Sequence, residues 1–235
     1  MTEREQKLDP PNQTTSIRSH SLRSLAIWSL ANWILALIIG IAIRFGWLPA
    51  IDIPLLTWIS GLQANGLHSL MRLLSLSGHW LTFLIILTTL AVLLIRKKQF
   101  RTCLILALST LSTWLMNLLL KISFQRQRPL EFFRIEQSGL SYPSGHAMVS
   151  AAFYFLTALM LARSFPTKRW PPIALGIFSF LPGLSRLFLG VHYPTDVIMG
   201  WLLGLSAAFF WYQLWLEREK EHKLLQIVKR SLHEF

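Results

Sequence analysis

Apolar runs long enough to cross a bilayer, each fenced by basic residues, limit what this chain can fold into more than any other feature. A helix needs about 20 mostly apolar residues to span the hydrocarbon core. Six stretches qualify: residues 25–45, 80–95, 103–120, 144–161, 172–189 and 195–216, the second being the shortest. Of 235 residues, 53% are hydrophobic and 14% charged, whereas soluble domains carry about a quarter charged residues. The expected fold is therefore all-α: an integral membrane bundle of six transmembrane helices over residues 25–216. Residues 1–24 are polar and lack the short apolar core of a cleaved signal peptide, so a flexible tail is expected there. Residues 217–235 form a second tail, with a solvated helix as the default. Residues 51–79 are apolar but broken by Asp52, Pro54, Gly61, Asn65, Gly66 and Gly78. One or two short interfacial helices are expected there, with Trp47, Trp58 and Trp80 as interfacial anchors; an ordinary packed loop is the alternative.

The net charge of +12 raises nucleic acid as a partner. The basic residues, however, sit just outside the apolar runs, which argues for a membrane protein instead. One set of loops holds Arg96, Lys97, Lys98 and Arg101, then Arg163, Lys168 and Arg169, then Arg218, Lys220 and Lys223. By the positive-inside rule that side, with both termini, is cytoplasmic. The ends of spans three and five and the starts of four and six then face outward. The single Cys103, inside an apolar run, offers neither a disulfide nor a metal cluster.

Three polar strings fall on that outer side: KISFQRQRP at 121–129, PSGH at 143–146 and SRLFLGVHYPTD at 185–196. Lys121 and Arg128 supply fixed cations, and a guanidinium can grip two phosphoryl oxygens at once. Lys121 taken alone equally fits a lysine snorkelling at a helix end. Pro129 restricts the backbone of Arg128. In PSGH, Ser144 is placed to cap a helix and Gly145 to let the backbone approach an anion, while His146 projects from the first turn as a proton donor. A capping serine beside an incidental histidine is the plain alternative. Arg186 near the end of an apolar run is costly unless used. His192 and Asp196 lie four apart across the start of the last helix. A carboxylate accepting the histidine Nδ1–H leaves Nε2 free as a nucleophile; the alternative is a hydrogen bond that merely closes the turn.

The strings K-x6-R-P, P-S-G-H and S-R-x5-H-x3-D, in this order and without departures, resemble the type 2 phosphatidic acid phosphatase superfamily. The resemblance covers residues 121–196. It implies that Lys121, Arg128 and Arg186 bind phosphate with Ser144 and Gly145, that His146 is the general acid, that His192 is the nucleophile and that Asp196 orients it. It also implies a bundle of six membrane helices and an enzyme needing no metal or cofactor. Asp52, Glu131, Glu136 and Asp196 are the carboxylates near the site, and none pairs at ligand spacing.

The function expected is a lipid-phosphate phosphatase of the bacterial plasma membrane, working at the outer leaflet through a phosphohistidine. Undecaprenyl diphosphate is the first substrate candidate; phosphatidylglycerophosphate, phosphatidate and lipid A phosphate are the others. No nucleic acid and no obligate protein partner are expected. A lipid-binding or transport protein would account for the cations but not for a His–Asp pair plus a second histidine. Arg126 and Arg134 read as loop charges, with extension of the anion surface as the alternative. His68 and His79 read as interfacial or structural, and Met148, Ala151 and Ala152 as a helix-packing face, with ligand contact as the alternative.

Overall fold

In the computed structural model, residues 13–62 and 66–233 are described, with side chains from residue 24 to 218 among them. The described residues form nine α-helices and no strand: α1 (Gln13–Arg44), α2 (Pro49–Gly61), α3 (Leu67–Leu76), α4 (Trp80–Arg96), α5 (Phe100–Phe124), α6 (Gly145–Ser164), α7 (Trp170–Phe178), α8 (Leu181–Phe188) and α9 (Pro194–His233). Five segments are long and apolar enough to cross a membrane: Ser24–Arg44, Phe100–Phe124, Gly145–Ser164, Trp170–Phe188 and Pro194–Arg218. A sixth crossing arises if α3 and α4, bent by 52°, count as one broken span. The 17 residues of α4 alone reach only about 26 Å, which explains why it was the shortest run in the sequence.

Helix ends follow local chemistry. Prolines open α2 and α9, where the missing N–H has no intrahelical partner to lose. Gly66, at φ 84°, precedes α3, and Gln125, at φ 50°, ends α5 in the left-handed region. The span expected over 172–189 is interrupted at Ser179–Phe180, giving α7 and α8. As expected, two short helices, α2 and α3, fill the segment between the first spans, and Trp47, Trp58 and Trp80 are exposed beside them.

Of the two terminal segments, the first differs from expectation and the second is helical as expected. α1 begins at Gln13, so the part of the N-terminal tail from there to Ser24 is helical, while residues 1–12 lie outside the described residues. α9 continues through the C-terminal tail to His233. No glycine or proline follows Gly204 to stop it.

α6 forms the bundle's centre, and its most extensive neighbour is α9. Gly200 and Gly204 make that approach possible. A Cβ on Gly204 would lie 2.3 Å from the Met148 carbonyl oxygen, and one on Gly200 would lie 2.8 Å from the Ser144 carbonyl oxygen. The small-residue face expected at Met148, Ala151 and Ala152 is thus the face that receives α9, a packing mode that suits helices in lipid. Phe83, Ile105, Leu106, Val149, Phe153 and Leu156 pack a core that Ala208 and Trp215 of α9 also enter. On the outside, Leu84, Ile85, Leu119 and Ile122 are exposed, as lipid contact requires.

Candidate active site

The three strings meet at one end of the bundle, at the C-termini of α5 and α8 and the N-termini of α6 and α9. Two features set the loop between α5 and α6 in place. Pro129 (φ −78°, ψ 74°) and the Leu130 N–H to Arg128 carbonyl bond of 3.0 Å form an inverse γ-turn, which reverses the chain just after Arg128. Gly190, at φ 69°, receives the same loop so closely that a Cβ there would sit 1.8 Å from the Phe132 carbonyl oxygen. No other residue fits that position.

His192 is buried, 2% exposed, in the turn before α9. Its Nε2 faces Arg128 Nη1 at 3.0 Å and its Nδ1 faces Ser141 Oγ at 3.2 Å. A guanidinium only donates, so Nε2 is the acceptor and Nδ1 carries the proton. That proton goes to Ser141 Oγ, and the Ser141 hydroxyl donates to Asp196 Oδ2. The direct His192 Nδ1 to Asp196 Oδ2 separation is 3.5 Å, too long for a good hydrogen bond. The expected direct His–Asp bond is therefore replaced by a relay through Ser141, a residue the sequence reading did not single out. Its signal was position alone, two residues before Pro143 and the PSGH string.

Asp196 is fully buried in the first turn of α9 and reaches back to the Tyr193 N–H at 3.0 Å, as the third residue of a capping box does. Its Oδ1 accepts from Arg126 Nη1 at 2.6 Å. Arg126 is thus not a loop charge. It is 8% exposed and also bonds Asp52, itself fully buried on α2. The Asp52 partnership was missed because the two residues are far apart in the chain. A carboxylate inside an apolar stretch was the available signal. Arg134 likewise turns inward, donating to the Ser60 carbonyl, while its own N–H bonds the Leu189 carbonyl at 3.1 Å. Neither arginine extends an anion surface.

Of the expected phosphate ligands, Arg128 donates through Nε to the Gly139 carbonyl at 2.9 Å and through Nη1 to the Val191 carbonyl at 2.7 Å. Lys121 Nζ donates to the carbonyls of Leu140 and Ser141. Arg186, 2% exposed, is held by Ser75 Oγ at 2.7 Å and by the Gln137 side chain, yet its Nε has no partner. Ser144 is fully buried at the start of α6, and its hydroxyl makes neither the expected cap bond nor any other. The space beside Gly145 is taken by Asn117, whose Oδ1 lies 3.0 Å from where a Cβ would be. Asn117 Nδ2 in turn donates to the Pro143 carbonyl at 3.0 Å, fixing the turn ahead of α6. His146 stands in the first turn of α6, in electrostatic reach of Arg186, His192 and Arg128. Its ring packs on Gly78, where a Cβ would come within 2.8 Å of the His146 Cδ2. His79 accepts the Leu81 N–H at 3.4 Å at the start of α4, the structural role expected of it.

Burial, then the charges of Arg128, Lys121 and Arg186, push the His192 pKa well below the ordinary histidine value, against a small opposing effect of Ser141. The ring is neutral at physiological pH. Burial lowers Arg128 to about 10, partly offset by Asp196, which leaves it charged at neutral pH. Among the described residues no group of three or more His, Cys, Asp or Glu side chains is placed to hold a metal ion. A cavity of 640 Å³ lies away from these residues, between α6 and α7, and shares none of them. Its walls are mostly apolar, with Phe155, Phe165 and Ile177 among them and Lys168 and Arg169 also lining it.

Residues 102–220 match the family described as the PAP2 superfamily. Over 99 residues the chain is 38% identical to phosphatidylglycerophosphatase B of Bacillus subtilis, covering 40% of this chain and 49% of that relative. Over 131 residues it is 32% identical to undecaprenyl-diphosphatase of Sulfolobus acidocaldarius, covering 53% of this chain and 60% of that relative. The chain thus spans between half and three-fifths of the length of these curated relatives. The crystal structure of a transmembrane PAP2-type phosphatidylglycerolphosphate phosphatase from Bacillus subtilis superposes with a TM-score of 0.74 at 26% identity, over 80% of this chain and 96% of that one. With the family match, the helical bundle and the superposition in agreement, this chain is a multi-pass membrane protein belonging to the PAP2 superfamily.

Proposed function

We propose that the protein is a lipid-phosphate phosphatase that works through a phosphohistidine on His192, without metal. The observation that carries the reading is the state of His192. Its Nε2 is unprotonated and points at Arg128, while the buried Arg186 Nε and Ser144 Oγ stand without partners. Buried polar atoms are seldom left unpaired, and here both are suited to phosphate oxygens.

In the first step Nε2 attacks phosphorus and the bond from phosphorus to the leaving oxygen breaks, with His146 giving that oxygen its proton. Lys121, Arg128 and Arg186 balance the charge spread over the three equatorial oxygens. The Nδ1–H stays on His192, bonded through Ser141 to Asp196, which steadies the positive ring of the intermediate. In the second step water attacks phosphorus and gives a proton to His146 as the P–N bond breaks. Inorganic phosphate leaves and both histidines return to their starting states.

Undecaprenyl diphosphate, cleaved to its monophosphate, is the substrate we favour, in line with the relative named undecaprenyl-diphosphatase. The relative and the solved structure named for phosphatidylglycerophosphate support that lipid as the second choice. The charge bias of the loops favours cytoplasmic termini and a site at the outer face of a bacterial plasma membrane. Purified protein in detergent with excess chelator, given each lipid in turn, tests both points. Phosphate release fastest from undecaprenyl diphosphate is expected. No release from any lipid phosphate, or release only with added magnesium, would overturn the proposal. In a Cys103→Ala background, an impermeant maleimide should label Gln137→Cys in intact cells and spare Gln226→Cys. The reverse would place the site in the cytoplasm.

A further inference from the structure

We propose that Arg126 is a positioning residue for the nucleophile, a clamp that fixes Asp196 by tying it to Asp52 on α2. The inference rests on the catalytic reading of His192. Three cations, Lys121, Arg128 and Arg186, are assigned to phosphate, yet a fourth, Arg126, is buried more deeply than Lys121 and Arg128 and places its donors on carboxylates. Nη1 holds Asp196 Oδ1 at 2.6 Å and Thr195 Oγ1 at 2.8 Å, and Nη2 holds Asp52 Oδ2. With both ends of the fork on carboxylates, the guanidinium is committed to neighbours in the fold and not to substrate.

The arrangement controls the histidine from both sides of its Nδ1 contact. Through its side chain Arg126 sets Asp196. Through its backbone carbonyl it accepts the Ser141 N–H at 2.8 Å, and Ser141 is the hydroxyl that joins His192 to Asp196. The guanidinium also lies 3.9 Å from the centroid of the Tyr193 ring, the residue that follows His192, a cation–π contact that presses on the same turn. Asp52 supplies the fixed end. It accepts the Thr195 N–H at 3.0 Å and the Thr195 hydroxyl at 2.7 Å, satisfying a free donor in the first turn of α9 from another helix. The turn that carries Asp196 is thus held from α2 by Asp52 and from the loop by Arg126.

Only a planar fork spans two carboxylates in this way. An ammonium keeps the charge without the geometry. The full-length protein in detergent should be compared with Arg126→Ala, Arg126→Lys and Asp52→Asn, with His192→Asn as control. The readouts are kcat, KM and the rise in Tm on adding vanadate, a five-coordinate phosphate mimic. Arg126→Ala is expected to lower kcat roughly a hundredfold, the scale of a small misplacement of a reacting group. KM should stay within about threefold and the vanadate-induced rise should persist, since the phosphate cations are untouched. Arg126→Lys should restore less than about a tenth of kcat. Asp52→Asn, which keeps the Arg126–Asp196 pair, should cost kcat about tenfold.

Wild-type kcat in Arg126→Ala would overturn the clamp, as would an unchanged kcat with raised KM and loss of the vanadate effect. If the Arg126 variants do not fold, Asp52→Asn decides alone, and an unchanged kcat there is the contrary result. A wild type that releases no phosphate, or an active His192→Asn, brings down the catalytic reading and the clamp with it. An active wild type, a dead His192→Asn and fully active Arg126 variants overturn only the clamp.

Discussion

The two halves of the site differ in how far their hydrogen bonds are used up. Around His192 nearly every donor and acceptor is spent: Asp52, Thr195, Arg126, Asp196, Ser141 and Arg128 form one continuous network. Around His146 the opposite holds. Ser144 Oγ and Arg186 Nε are buried and unpartnered, and the His146 ring packs on Gly78 within electrostatic reach of Arg186 and Arg128. The difference fits the two tasks. A nucleophile needs a fixed direction before substrate arrives. Groups that grip the phosphate and protonate the leaving oxygen need free valences, even though each unpaired buried atom costs about 1–3 kcal/mol.

The comparison can be broken most severely on the saturated side. Asp196→Asn should lower kcat by about a thousandfold or more, by analogy with orienting carboxylates in other histidine-based sites. It removes a charge from Arg126 and an acceptor from Ser141 together. An activity within a few-fold of wild type would mean that the network is only structural.

On the open side the loss should depend on the substrate. His146→Ala should reduce turnover of a lipid monophosphate by about a hundredfold and that of a nitrophenyl phosphate far less, because a general acid matters most for a basic leaving oxygen. Equal losses on both substrates would remove the proton-donor role. Ser141→Ala is expected to cost less, about tenfold in kcat, since His192 and Asp196 are 3.5 Å apart and can close part of that gap. A loss as large as that of Asp196→Asn would make the hydroxyl as important as the carboxylate.

The smallest effect concerns pH. Burial and the charges of Arg128, Lys121 and Arg186 hold His192 below the usual histidine pKa, so the neutral nucleophile persists to lower pH. The acid limb of kcat/KM should therefore lie below about pH 6.5, the ordinary histidine value. Arg128→Ala, by removing one of those charges, should move the limb upward in whatever activity remains. A limb unmoved by the substitution would assign it to another group.

How much of this was legible in the sequence depends on distance along the chain. His192, Tyr193, Pro194 and Asp196 sit within one turn, so their spacing alone placed a carboxylate beside a histidine. The membrane spans at α1, α5, α6 and α9 were equally readable, because each is a single uninterrupted run, whereas the break at Ser179–Phe180 and the bend between α3 and α4 left no mark in the apolar pattern. The Asp52–Arg126 pair was not, because nothing local to either residue states its partner. Asp52 lay in an apolar segment, and that deserved the inference that it is buried and paired. Ser141 was invisible for a different reason: a serine ahead of a proline fits any loop, and only the folded turn brings it between His192 and Asp196. The Gly200 and Gly204 pair was legible as a small-residue spacing in α9, yet its partner face on α6 was read without it.

The central claim is that the phosphoryl group passes through His192. The most direct test is rapid quenching of the protein with substrate labelled in the transferable phosphate, followed by denaturation and peptide mapping. The expected result is a label that survives alkali, is lost in acid, maps to the peptide carrying His192 and is absent from His192→Asn. Turnover with no trapped label at any quench time, or a label that persists in His192→Asn, would contradict the account.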